Sequence, residues 1–265
     1  MRAVKVTLPR SLKNIKIYTI ADWHIGDRSC DVEAIKQAIL NVKNDKEAYV
    51  ICNGDLMNNA TRTSVSDCYA EALSPMEQLQ TICVLLEPIK DKILLITQGN
   101  HESRTYRTDG VDLTALWSQQ LGIYDRYVRE GGVLFLRAGE YPNGRKQHNN
   151  GGLTRQVCYT IYCTHGNGGG RKEGGKANIL ADMASIVDCD IYIHSHTHLP
   201  MVMKQNFFRV DTSNSCVAEV EKLFVNTAAQ LRYGGYGQAF EFKPSNNTTP
   251  TIYLCGTKKQ FSAML

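Results

Sequence analysis

The stretch Ile15-Lys16-Ile17-Tyr18-Thr19-Ile20, followed at once by Ala21-Asp22-Trp23-His24, decides the fold class. Apolar and β-branched residues alternating over six positions predict a strand. An aspartate and a histidine come immediately after it. The same arrangement recurs four times. A strand over 48–52 runs into Asn53-Gly54-Asp55, and one over 92–97 into Gly99-Asn100-His101-Glu102. A strand over 157–164 ends on Thr164-His165-Gly166, and one over 189–193 is followed by His196-Thr197-His198. Open α/β sheets place their sites in loops just past the carboxyl ends of strands.

Helices alternate with these strands. Residues 31–43 place Ile35, Ala38, Ile39 and Val42 on one face. Ser74-Pro75-Met76-Glu77 spells a helix start, with Ser74 as N-cap, Pro75 at the first position and Glu77 completing a capping box, and the helix is expected to run to about residue 89. Thr108 or Asp109 is expected to cap a helix carrying Leu113, Leu116 and Trp117. Another helix is expected near 177–187. Strands are expected over 133–136 and 222–227, and a hairpin over 238–242 and 251–254 around Pro244-Ser245-Asn246-Asn247. The first half is therefore βαβα and the second half richer in β, with no internal repeat and no linker. Residues 1–265 are expected to form a single domain.

Composition narrows the rest. The chain has 265 residues, 30 Lys and Arg against 26 Asp and Glu, and a net charge of +4. That mild charge permits a nucleic-acid partner without arguing for one. No stretch approaches the roughly 20 apolar residues a membrane span needs, and the start lacks the apolar core of a signal peptide. Nine cysteines without a CxxC pair are expected to be buried or partly buried free thiols. A cytoplasmic protein without membrane contact is the expectation.

Taken one at a time, the five clusters have ordinary explanations as turns, caps or satisfied histidines. Only His196-Thr197-His198 is unusual alone, because alternate strand residues project to one face. Together they are not ordinary. Six of seven histidines lie in or beside the clusters, and His148 is the exception. The set offers carboxylates, imidazoles and an amide oxygen but no thiolate, which suits manganese, iron or zinc better than a structural all-cysteine site. It also holds more candidate ligands than one tetrahedral ion takes. A carboxylate shared between two ions about 3.5–4 Å apart accounts for the excess.

These five clusters, in this order, resemble the five motifs of the calcineurin-like metallophosphoesterases, a family that includes the Mre11/SbcD nucleases, purple acid phosphatases and cyclic-nucleotide phosphodiesterases. The resemblance spans roughly residues 15–227. It implies an α/β (α+β) fold, a four-layer αββα sandwich of two mixed β-sheets flanked by helices. It implies a dinuclear-metal hydrolase of phosphate esters, a phosphodiesterase first and a DNA nuclease within that. A phosphomonoesterase or nucleotide hydrolase is the alternative, and an inactive binding or scaffold subunit a more distant one. By position, Asp22, His24 and His198 would hold one metal and Asn100, His165 and His196 the other, with Asp55 bridging. His101 would be the catalytic side chain, protonating the leaving oxygen or stabilising its charge. The implied cofactors are two divalent ions, manganese first, with iron, zinc or magnesium as alternatives. The implied partner is a phosphoester substrate, DNA among the candidates, and a homo-oligomer is left open.

Two departures stand out. Ser195 replaces the glycine of the usual Gly-His-x-His, and Thr227-Ala228-Ala229 lacks the usual Pro-Gly after Asn226. Around the motifs, Arg104 is expected to bind substrate phosphate, since a guanidinium matches phosphate oxygens bidentately. Arg107, Arg171, Lys172 and Lys176 are weaker candidates for that role. Glu102 and Asp27 are expected either to orient metal-binding histidines or to be caps and solvated charges. His194 is expected to be a supporting or core histidine. The polar segment 58–74 reads as a lid, a dimer contact or a passive insertion.

Overall fold

Two six-stranded sheets lie face to face with helices on both outer sides. The computed structural model describes every residue except 63, 65, 66, 143–154, 169, 235, 236, 239, 240 and 245. His148 and the whole polar stretch 143–152 lie outside the described residues. In chain order the strands are β1 (Arg2–Thr7), β2 (Asn14–Ile20), β3 (Ala48–Asn53), β4 (Ile93–Thr97), β5 (Tyr127–Val128) and β6 (Gly132–Ala138). They continue as β7 (Val157–Cys163), β8 (Ile191–His194), β9 (Met201–Asp211), β10 (Cys216–Asn226), β11 (Thr251–Cys255) and β12 (Phe261–Met264). The helices are α1 (Val32–Asn44), α2 (Pro75–Leu86), α3 (Glu102–Asp109), α4 (Leu113–Gln120) and α5 (Glu173–Asp182).

One sheet has the order β12-β11-β2-β3-β4-β5 and the other β1-β6-β7-β8-β10-β9. Both are mixed. β2 to β5 run parallel, with β11 and β12 added antiparallel; β7, β8 and β10 run parallel, with β9 folded back on β10. This is the αββα sandwich implied by the motifs.

The layers follow from the period of two. Ile15 and Ile17 point into the core between the sheets, with Leu134, Ile161, Ile193 and Val225 opposite. Tyr18 and Ile20 point the other way and meet Ile35, Ile39, Leu79 and Trp117 of α1, α2 and α4. A third, smaller core holds Tyr162, Tyr192 and Phe224 against Leu180 of α5 and Met183 just beyond it.

The α2 start is as expected. Ser74 Oγ accepts from the Glu77 amide at 3.4 Å, and Glu77 Oε2 accepts from the Ser74 amide at 2.8 Å. Ser74→Ala should cost about 1 kcal/mol, read as a lower urea midpoint at unchanged slope; an unmoved midpoint would mean the cap contributes nothing.

Four expectations are corrected. Thr108 and Asp109 do not cap a helix: they end α3, Gly110 closes it at φ 72°, and Asp112 caps the separate α4. Residues 251–254 do not pair with 238–242, since β11 lies between β2 and β12; residues 239, 240 and 245 are outside the described set. The segment 177–187 is only partly α-helical, because α5 spans Glu173–Asp182 and a 3-10 turn follows. All nine cysteines are free, and Cys216 is exposed rather than buried. No helix among the described residues is long and apolar enough to cross a membrane.

Candidate metal centre

The carboxyl ends of β2, β3, β4, β7 and β8 converge, so strands of both sheets deliver loops to one place. Asn53 at the end of β3 joins the sheets. Its Nδ2 donates to the Thr164 carbonyl at 2.8 Å and to Ser195 Oγ at 2.6 Å. Its Oδ1 accepts from Thr97 Oγ1 at 2.9 Å, and its backbone carbonyl takes His165 Nδ1–H at 2.7 Å. Ser195, the departure from the motif's glycine, thus supplies an oxygen that Asn53 uses. The first and second loops are also stitched by backbone bonds, from Asp22 to the Gly54 carbonyl and from His24 to that of Asp55.

Glycine is required where the loops touch. A Cβ on Gly99 would lie 2.0 Å from Asp55 Oδ1, and one on Gly54 would lie 2.6 Å from the Gly99 amide nitrogen. The functional residues themselves carry strain. Among the described residues eight non-glycine residues have positive φ, and five of them are Asp22, His24, Asp55, His196 and His198, at 50 to 65°. Such conformations cost about 1–3 kcal/mol each and persist where surrounding structure over-determines them.

Two groups of ligand atoms result. In the first, His24 Nε2 and His198 Nε2 are 3.3 Å apart, and Asp22 Oδ1 is 3.2 Å from the latter and 4.0 Å from the former. In the second, His165 Nε2 lies 3.1 Å from both Asp55 Oδ2 and Asn100 Oδ1, and His196 Nδ1 is 2.7 Å from that same amide oxygen. Asp55 also groups with His24 and His101, so it stands between the two clusters. The structure brings all seven sequence-derived candidates together, with His101 beside them.

Divalent cations fit this donor set. Asp22 Oδ1 is a buried acceptor without a well-formed hydrogen bond, an expensive situation for a carboxylate oxygen. Two acceptor oxygens converge on His165 Nε2. Burial works to lower the His165 imidazole, yet the Asp55 carboxylate pushes it up to about 10, so a proton sits where a cation would otherwise serve those oxygens. Burial holds His24 well below the ordinary histidine value and lowers His196 too, which favours the neutral imidazole a metal needs. Burial alone would raise Asp22; the charge of the facing His198 reverses it.

Several supporting residues have particular places. Glu102 is buried; its carboxylate accepts the amides of Asp55, Met57 and Gly99 at 3.0–3.1 Å and so clamps two loops together. Burial, with the nearby Asp55 charge, raises it to about 7. Asp27 accepts the Ser29 amide at 2.7 Å, as a turn residue does. His194 is buried and bonds Asn226 Oδ1 through Nδ1 at 2.9 Å. Lys176 Nζ donates to the Thr197 carbonyl at 2.7 Å. In the segment 58–74, the Ala72 amide donates to the Gly26 carbonyl at 2.8 Å and Arg28 Nε to the Ala70 carbonyl at 3.0 Å. Asn59 and Gln78 lie outside the five clusters, yet Asn59 Nδ2 donates to the His101 carbonyl at 2.8 Å and Gln78 Oε1 accepts the Asn59 backbone N–H at 2.9 Å. Thr227 Oγ1 reaches Asp22 Oδ2 at 3.3 Å, in place of the missing Pro-Gly turn.

A sequence model of the calcineurin-like phosphoesterases matches residues 15–200. The chain belongs to that family. The matched region runs from β2 to just before β9 and holds every candidate ligand. Solved structures of similar fold include a predicted phosphoesterase from Streptococcus pneumoniae TIGR4, 13% identical, covering 96% of this chain and 91% of that one at a TM-score of 0.39. Vps29 from Cryptosporidium parvum is 15% identical over 95% and 97% at 0.40, and the nuclease MPE from Pseudomonas putida is 11% identical over 94% and 87% at 0.37. No match is found among curated proteins.

Proposed function

We propose that this calcineurin-like phosphoesterase hydrolyses phosphodiesters with two divalent cations, manganese first. The observation that carries the reading is Asp55, a buried carboxylate with a histidine cluster on either side. Asp22, His24 and His198 would hold one cation and Asn100, His165 and His196 the other, with Asp55 shared. Two such cations, when bound, acidify water and neutralise charge building on the phosphate oxygens. The chain's own contribution is to fix the ligands. Asn53 sets the His165 tautomer, Glu102 clamps the Asp55 loop, and Thr227 and the His196 amide hold Asp22 Oδ2. His101 stands beside the centre, its Nε2 3.8 Å from Asp55 Oδ2. Its Nδ1–H is given to the Asn58 carbonyl and its Nε2 accepts from Arg104, so assisting a leaving oxygen means that Nε2 exchanges the Arg104 bond for a proton from solvent. Within this class a phosphodiester is the first reading and a phosphomonoester the alternative.

The test is metal loading and removal. Protein with measured manganese content should release nitrophenol from bis(4-nitrophenyl) phosphate, faster than from 4-nitrophenyl phosphate, and lose that activity in chelator. End-labelled single- and double-stranded DNA in parallel decides whether a nuclease is the right member of the class. Fully loaded protein that cleaves no diester would overturn the reading, and cleavage of the monoester alone would replace it with a phosphomonoesterase.

A further inference from the structure

His101 is held at both ring nitrogens. The Asn58 carbonyl lies 2.7 Å from Nδ1. A carbonyl only accepts, so Nδ1 carries the proton. Arg104 Nη2 lies 3.0 Å from Nε2. A guanidinium nitrogen only donates, so Nε2 is the acceptor. Arg104 Nη1 donates to the same Asn58 carbonyl at 3.0 Å. The three groups therefore close a ring in which the imidazole cannot turn without breaking a bond to Arg104 or to Asn58.

The anchor of this ring is itself built in. Arg104 Nη1 also reaches the Asn59 carbonyl at 3.4 Å. Asn59 is fully buried at φ 44°, and its amide nitrogen donates to Gln78 Oε1 at 2.9 Å. Asn59 Nδ2 donates to the His101 carbonyl at 2.8 Å and to Thr105 Oγ1 at 3.0 Å. Gln78, fully buried on α2, also donates to the Leu73 carbonyl at 2.9 Å. The turn that seats Arg104 is thus pinned to a core helix.

We propose that Arg104 is a positioning residue: it fixes the plane of the His101 imidazole against the Asp55 side of the site, where the ring also packs edge-on to His24 at 4.5 Å between centroids. The inference deepens the phosphodiesterase reading and rests on it for its kinetic consequence, whereas the placement of the ring is testable without turnover. Direct grip on substrate phosphate is the competing role for the same guanidinium.

Two measurements separate these. The first uses metal-free, histidine-labelled protein and the 15N resonances of the His101 ring, assigned by their loss in His101→Ala. In Arg104→Ala the Nε2 resonance should move toward that of an unbonded imidazole nitrogen, and Arg104→Lys should restore part of the shift. An unmoved resonance would overturn the proposal. The second uses manganese-loaded protein and two diesters that differ in leaving group. Arg104→Ala should lower kcat about 10- to 100-fold on diphenyl phosphate, as removal of a supporting partner does. The loss should be smaller on bis(4-nitrophenyl) phosphate, whose leaving group needs less help, and KM should hardly change. In a His101→Ala background the same substitution should add no further loss. A loss equal for both substrates, or falling on KM, would make Arg104 a phosphate-binding group instead. A shifted Nε2 resonance in a protein that cleaves no diester would support the placement of His101 and sink the phosphodiesterase reading.

Discussion

Asp55→Asn should abolish the metal dependence of this protein and lower the stability of the metal-free fold, since the charge that holds the His165 proton is lost. The side chain is 1% exposed, and the amide is the same size, so no cavity opens. The carboxamide oxygen would still accept the His101 backbone N–H, as Asp55 Oδ1 does at 2.8 Å. What disappears is the negative charge shared by the two ligand clusters. Burial tends to raise the Asp55 carboxyl, but the facing His165 outweighs it and holds the group well below the usual carboxylate range. The residue is therefore an anion whenever the histidines around it carry protons or a cation replaces them. Metal content by mass spectrometry should fall below two ions per chain. The rise in melting temperature that manganese gives the wild type should vanish, since a ligand stabilises only in proportion to its binding to the folded state. A metal centre supplies several kcal/mol of transition-state stabilisation, and about 4 kcal/mol corresponds to a rate loss of roughly 10³-fold. A variant that kept two ions and the wild-type rate would remove Asp55 from the centre of the site.

The parts of the fold visible in the sequence were those whose local pattern agrees with their final burial. Ile15 and Ile17 lie on one face of β2 and Ile20 on the other, each face covered by a different layer, and α2 announces itself through Ser74, Pro75 and Glu77. β9 and the outer half of β10 carry no such signal. Lys204, Gln205, Asn206 and Arg209 face Leu223, Lys222, Glu221 and Ala218 and are largely exposed, so that ladder is specified by pairing rather than by an apolar stripe. β11 misled in the opposite way. Pro244-Ser245-Asn246-Asn247 looks like a local turn, yet Ile252 and Leu254 are buried against a strand more than 230 residues earlier. α3 was hidden because Glu102–Asp109 is polar almost throughout and is ended by Gly110, a signal that its neighbour's periodicity obscured.

The site divides in the same manner. Ligand candidates are rare residue types at strand ends, so their chemistry shows in the sequence. Asn59 and Gln78 are common types whose importance lies in bonds to atoms far along the chain. Nothing in their spacing marks them, because the partner is created by the fold. Glu102 is intermediate. It belongs to a recognisable motif, but its contacts turn out to be three amides rather than an imidazole.

His101→Ala should leave the metals in place and remove most of the turnover, and the geometry sets what each outcome means. His101 lies within ligand distance of His24 and Asp55 as a group, so the rival role is that of a further ligand. Its ring nitrogens argue otherwise. Nδ1–H is given to the Asn58 carbonyl and Nε2 takes a hydrogen bond from Arg104, so neither ring nitrogen faces the cluster unengaged. General acid–base assistance is worth about 10²–10⁴-fold, and the loss should fall on kcat for diesters with poor leaving groups. Nitrophenolate leaves without a proton, so bis(4-nitrophenyl) phosphate should be far less affected. Metal analysis of the same preparation decides between the roles. Two ions per chain with a leaving-group-dependent loss of rate fits a residue that faces the ester. One ion per chain, with activity lost on every substrate alike, would place His101 among the ligands and require the assignment of the centre to be redrawn around His24, Asp55 and His101.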